Sequence, residues 1–214
     1  MDELDVRLIY IMKYVVFVAA LLVTSSALFA QEIDDPARLA DSARKQVGVT
    51  KIYDPAYVSL SYPGGDVPID RGVCTDVVIR ALRDAIDFDL QKAVHEDMRS
   101  DFASYPKNWD LGKPDKNIDH RRVLNLMTFF TRHAQLIPPN QDSAAFLPGD
   151  LVTCTVPPNL PHIMIVSNKT TTKGEPLVIH NIGRGAQEED RLFSFPHTGH
   201  YRLNTAEQRA AANP

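Results

Sequence analysis

The spacing of apolar residues changes period near the middle of the chain. Leu39, Ala40, Ala43 and Val47 recur at helical intervals between Asp34-Asp35-Pro36 and Gly48. An acidic cap with Pro at the first helical position, and Gly past the last, mark the two ends of a helix. Val73, Val77, Val78, Ala81, Leu82 and Ala85 form a second stripe that opens directly after Gly72. Leu90, Ala93, Val94, Met98 and Phe102 form a third, stopped by Pro106, and Asp119 is expected to cap a fourth with Val123, Leu126, Met127 and Phe130. Residues 52–70, rich in Tyr, Pro and Gly, read as turns. After Pro138-Pro139 the pattern becomes short apolar runs: Leu151–Val156, Ile163–Val166, Leu177–Ile182 and His200–Leu203. Separated by Pro, Gly, Asn and Thr, these read as strands. The unbroken run Ile163-Met164-Ile165-Val166 predicts a central strand covered on both faces. Helices first and strands afterwards predict an α+β fold, N-terminal helices packed on a C-terminal antiparallel sheet.

Residues 14–23 read YVVFVAALLV, preceded by Lys13 and followed by Thr24, Ser25, Ser26 and Ala27. A cation, a short apolar run and small residues make a secretory signal. The run is shorter than the ~20 residues that span a bilayer. Cleavage after Ala27 has Ser25 at the right offset, and cleavage after Ala30 would leave Gln31-Glu32. The expected organisation is a signal peptide over residues 1–30 and a single domain over 31–214. Asp2, Glu3 and Asp5 are acidic where a signal has cations, so Met12-Lys13 would make a more normal start. An uncleaved anchor is the alternative. No cysteine lies near the cleavage region to carry a lipid, so the expected location is periplasmic or secreted, with no membrane span after cleavage.

Composition excludes several classes. Apolar residues make up 44% and charged residues 23% of 214, which excludes a disordered chain. A net charge of −4 and a pI near 6.0 argue against a nucleic-acid binder, since such domains usually have a pI above about 9. No Gly-x-Gly-x-x-Gly or phosphate-loop pattern is present, and no cofactor is expected.

Cys74 falls in the first turn of a predicted helix, where free N–H groups and the helix dipole favour an anion. That placement suits a nucleophile, with a thiol pKa expected below the free value of about 8.5; a small buried residue is the alternative. His162 opens one predicted strand and His180 lies in the next, and adjacent strands set side chains about 5 Å apart. One imidazole can then take the thiol proton while the second fixes its tautomer. A Cys-His-His zinc site is the competing use of these residues, but the close ligand pairs typical of zinc are absent, and no metal is expected. Cys154 shares a strand face with Val152 and Val156 and reads as a core thiol, with a Cys74–Cys154 disulfide as the competitor. Arg121 and Arg122 could clamp substrate carboxylates, Arg184 could face an anionic substrate, and Asn181 lies beside His180. Glu188-Glu189-Asp190 reads as a solvated charge run, and His95, His133, His197 and His200 have no evident partner.

The order of these motifs resembles a known family. Cys at a helix start, Pro148-Gly149-Asp150-Leu151-Val152, Pro161-His162-Ile163-Met164-Ile165-Val166 and Val178-Ile179-His180-Asn181 are similar to the NlpC-like branch of papain-fold cysteine peptidases. Tyr62-Pro63-Gly64-Gly65 loosely echoes that branch's glycine pair upstream of the nucleophile. More closely, roughly residues 35–203 resemble exported bacterial proteins grouped as domain of unknown function 1287. The resemblance implies Cys74 as nucleophile, His162 as general base then acid, and His180 as the orienting residue, with Asn181 as its rival. Val73-Cys74-Thr75-Asp76 departs from the Asp-Cys-Ser-Gly usual at the nucleophile. The implied activity is hydrolysis of peptide amide bonds, with cell-wall peptide as the expected partner. An acyltransferase with the same triad and a non-catalytic wall-binding module are the alternatives.

Overall fold

The computed structural model describes residues 37–203; the expected leader lies outside them. Helix α1 (Ala37–Arg44) buries Leu39, Ala40 and Ala43. After a turn-rich stretch, β1 (Ile52–Tyr53) pairs in parallel with β2 (Arg71–Gly72). Helix α2 (Cys74–Ile86) follows at once and is buried along almost its whole length. Asp87 ends it in the left-handed conformation (φ 54°). Helix α3 (Leu90–Ser100) is capped by Asp89, whose carboxylate accepts from the Gln91 and Lys92 amides. The expected cap at Asp119 is corrected: Asp119–Arg121 form a 3-10 turn, and α4 (Val123–His133) starts past Arg122. Asp119 serves the preceding loop instead, accepting from the Asp115 amide at 2.5 Å.

The second half forms a six-stranded antiparallel sheet of β3 (Gln135–Leu136), β4 (Leu151–Val156), β5 (Leu160–Thr170), β6 (Pro176–Asn181), β7 (Ala186–Glu189) and β8 (His197–Arg202). The spatial order is β3-β8-β4-β5-β6-β7. The expected α+β layout is therefore present, and β5 is a central strand covered on both faces. Its odd-numbered residues Ile163 and Ile165 join Leu151, Ile179 and the helices in one core. Its even-numbered residues Met164 and Val166 join Val152, Cys154, Val178, Phe146 and Leu192 in a second. Among the described residues, no helix is long and apolar enough to cross a membrane.

Strand β7 replaces the expected solvated run. Glu188, 11% exposed, accepts from Arg44 Nε at 2.9 Å, Arg44 Nη2 at 2.8 Å, Ser167 Oγ at 2.5 Å and Lys169 Nζ at 2.9 Å. These partners hold its carboxyl down to a pKa of about 2 despite its burial. The charge run is thus a strand that ties α1 to the sheet.

Candidate active site

Cys74 sits where β2 becomes α2. Gly72 turns the chain with φ +154°, and a Cβ there would stand 2.9 Å from the Asp76 Cβ, so only glycine fits this approach. Val73 is extended, and its N–H donates to Asp76 Oδ2 at 2.7 Å. Asp76 also takes a two-pronged ion pair from Arg121, Nε to Oδ1 at 2.9 Å and Nη2 to Oδ2 at 3.0 Å. Asn181 Nδ2 donates to the Gly72 carbonyl at 2.9 Å, fastening the entry to α2 onto the end of β6.

That fastening lies where the sheet opens. Val166 donates its N–H to Asp150 on the β4 side, so alternation turns the odd-numbered amides of β5 toward β6. Pairing with β6 holds at Ile165↔Ile179 and stops before Ile163 meets Asn181. Cys74 packs in one core cluster with Ile163 and Ile179, and the Ile163, Cys74 and Thr75 amides favour the charged form of its sulfur. The entry to α2 therefore meets the sheet where the β5–β6 pairing ends.

His162 and His180 share one sheet face, as Met164 and Val178 do. His162 Nε2 lies 2.7 Å from His180 Nδ1, with the rings edge-on at 69°. His180 Nε2 lies 3.0 Å from Glu189 Oε1. The structure thus joins His162, His180 and Glu189 in one hydrogen-bonded chain, with Cys74 at the start of the helix packed on β5 and β6. Glu189 lies nine positions past His180, across the β6–β7 hairpin, within what reads in sequence as a charge run.

The electrostatics differ from the expectation at the sulfur. Cys74 is 3% exposed, and burial pushes its thiol up to about 11 against the pull of the three amides. Burial, and then His180, push His162 down to about 3. Burial also lowers His180, opposed by Glu189. Both the thiol and the His162 imidazole are neutral at rest. The expectation of a low-pKa thiolate, from the helix start and a His162 partner, is corrected: desolvation outweighs both.

A cleft of about 390 Å³ opens at Cys74, lined by Tyr53, Trp109, Ile118, Leu124 and Pro161. The expected anion clamps do not serve it. Arg121 lines the cleft, but its guanidinium is committed to Asp76 and to the Asp54 and Ala56 carbonyls at 3.0 Å. Arg122 bonds Asp119 at 3.0 Å and lies 4.2 Å over the Trp109 ring. Arg184 is 77% exposed on its side chain, 4.0 Å from Glu189. Asn181 contacts Gly72 and Gly183 rather than His162, so His180 holds the place next to His162. Both cysteines are free, without the competing disulfide. The histidines left without partners have them: His200 on Asp150 at 2.7 Å and stacked on Phe146, His133 on Asp97 at 3.0 Å, His197 on the Leu192 carbonyl at 2.6 Å, and His95 edge-on to Tyr62. Among the described residues no group of three or more His, Cys, Asp or Glu is arranged as metal ligands would be.

Comparison with known proteins adds the lineage. The family described as domain of unknown function 1287 matches residues 40–203. The uncharacterized protein YijF of Escherichia coli (strain K12) is 57% identical over 164 residues, 77% of this chain and 80% of that protein. The solved structure of NlpC1 from Trichomonas vaginalis aligns over 79% of this chain but 44% of its own, at TM-score 0.43 and 16% identity. This chain spans less than half of that protein, and so distant a likeness says nothing of activity.

Proposed function

The chain belongs to the domain of unknown function 1287 family, and from its site we propose that this member is a cysteine hydrolase of amide bonds. The observation that carries the reading is the cleft at Cys74. A buried helix-start thiol opens on a cleft that Pro161, next to His162, also lines, and His162 is hydrogen-bonded to His180. With both partners neutral at rest, His162 acts as general base during attack. The Cys74 sulfur bonds to the amide carbonyl carbon while its proton passes to His162. Amides at the start of α2 face the developing oxyanion. The C–N bond then breaks, His162 gives its proton to the leaving amine, and a thioester remains. Water attacks the thioester, losing a proton to His162, and the acid leaves as the thiol is restored.

Cell-wall peptide is the proposed substrate class, resting on the motif resemblance and on a proposed export to the periplasm or medium. The apolar cleft residues and the committed Arg121 favour a neutral substrate residue in the cleft. N-terminal sequencing of the mature protein is expected to start past residue 27 or 30; an intact Met1 or Met12 on a membrane-bound product would replace export by anchoring.

The raised Cys74 pKa favours a second reading, a wall-binding module that cleaves nothing. Mass spectrometry of purified peptidoglycan incubated with the protein separates them. Hydrolysis predicts new amine and carboxyl termini, with release reduced by about 10³-fold or more in Cys74→Ala. Equal release from Cys74→Ala would remove the nucleophile assignment. Binding without release would establish the module, and ligation to an added amine would make the protein an acyltransferase.

A further inference from the structure

We propose that Glu189 is a positioning residue that fixes the proton on each imidazole so that His162 presents a bare Nδ1 to the thiol. The inference rests on the hydrolase reading but concerns only where protons lie, which is measurable without any substrate.

The argument starts from hydrogen-bond capacity. An ionised carboxylate only accepts, and a neutral imidazole has one donor and one acceptor nitrogen. Glu189 Oε1 lies 3.0 Å from His180 Nε2, so that nitrogen carries the hydrogen. His180 Nδ1 is then an acceptor. It lies 2.7 Å from His162 Nε2, which must therefore carry the second hydrogen. His162 Nδ1 is left with its lone pair, the state a general base requires. Reversing the first hydrogen reverses the rest: His162 would then carry its proton on Nδ1 and could not take one from sulfur. When His162 does take that proton, its charge lies two hydrogen bonds from the Glu189 carboxylate.

The strand that supplies Glu189 is firmly seated. Gly185 brings β7 against residue 50: a Cβ there would stand 2.4 Å from the Thr50 carbonyl, which accepts the Ala186 amide at 2.8 Å. Alternation then points Glu188 to the α1 face, where Arg44 holds it, and Glu189 to the histidine face. His180 pairs with Gln187, and Glu189 reaches it from the diagonal position. Besides His162 and Glu189, the charged group facing His180 is Arg191; its Nε stands 4.0 Å from Glu189 Oε1, and Arg184 stands 4.0 Å from Oε2.

The test is nitrogen NMR of ¹⁵N-histidine-labelled protein near neutral pH, comparing wild type, Glu189→Gln and Glu189→Leu. Wild type is expected to show Nε2–H and bare Nδ1 on both His162 and His180. Glu189→Gln keeps an acceptor oxygen and should keep the pattern. Glu189→Leu removes the acceptor and should shift His180 toward Nδ1–H, with His162 following. Iodoacetamide labelling of Cys74 should fall by about ten-fold or more in Glu189→Leu and by much less in Glu189→Gln, within the range that a misplaced general base costs. Glu189 is 24% exposed near the sheet edge, and the isosteric Gln variant controls for folding. A wild-type His162 protonated on Nδ1, or an unchanged pattern in Glu189→Leu, would overturn the proposal. If the tautomers follow Glu189 while peptidoglycan is untouched, the proton arrangement stands and only the hydrolase reading fails.

Discussion

Asp76→Ala is expected to destabilise the fold by about 3–5 kcal/mol, because it leaves the Arg121 guanidinium buried without its counter-charge. Both side chains are almost fully enclosed, at 2% and 3% exposure. The same carboxylate accepts the Val73 amide at the start of α2, so its loss also frees the turn that presents Cys74. For a domain of this size such a cost lowers Tm by roughly 6–20 °C. Thermal and urea unfolding of Asp76→Ala, Arg121→Ala and the double variant would check it. The double variant should lose much less than the sum of the singles, since their partner groups are one interaction. Additive losses would mean that the pair contributes nothing jointly.

The second large effect is acid destabilisation. Burial and nearby positive charges, Arg121 and Arg83 foremost, push His120 down to about 3, and burial with His180 does the same to His162. The ordinary value is 6.5. With folded values depressed, the unfolded chain takes up protons first as pH falls. The contribution of these groups is complete above about pH 6.5 and disappears as pH approaches about 3. At about 1.36 kcal/mol per unit, two such groups together rival the about 5–15 kcal/mol that holds a typical domain. Glu188, held down to about 2, adds to the loss at the acid end. Urea unfolding from neutral pH down to about pH 4 should show a steep fall in stability, shallower in His120→Leu, which leaves the active site alone. Stability that stays flat over that interval would show that these imidazoles are not held neutral by the fold.

Much of the architecture was legible because it is local. The stripes of α2, α3 and α4 follow the helical period, and Leu151–Val156 was read to its ends. His162 and His180 also lie together, since they stand on adjacent strands. What escaped depends on contacts between distant parts of the chain. Glu188 looks like solvent-facing charge until Arg44, 144 residues away, is found beside it. Arg121 looks like a free clamp until Asp76, 45 positions earlier, engages it. His200 lacks a partner until the strands bring Asp150 across 50 residues. The thiol was misjudged for the same reason: a helix start is visible in sequence, whereas the enclosure of the sulfur by β5 is not.

The two ends of the sheet bear on how this protein behaves in a crowded solution. An unpaired strand edge can recruit a strand from another molecule and seed aggregation. One edge here, β3, is only two residues long and exposes few free backbone groups. At the other, β7, an incoming strand would have to slide past the Arg44 and Lys169 side chains on Glu188 and the arginines around Glu189. Among the described residues, neither β3 nor β7 offers a long open edge to an incoming strand.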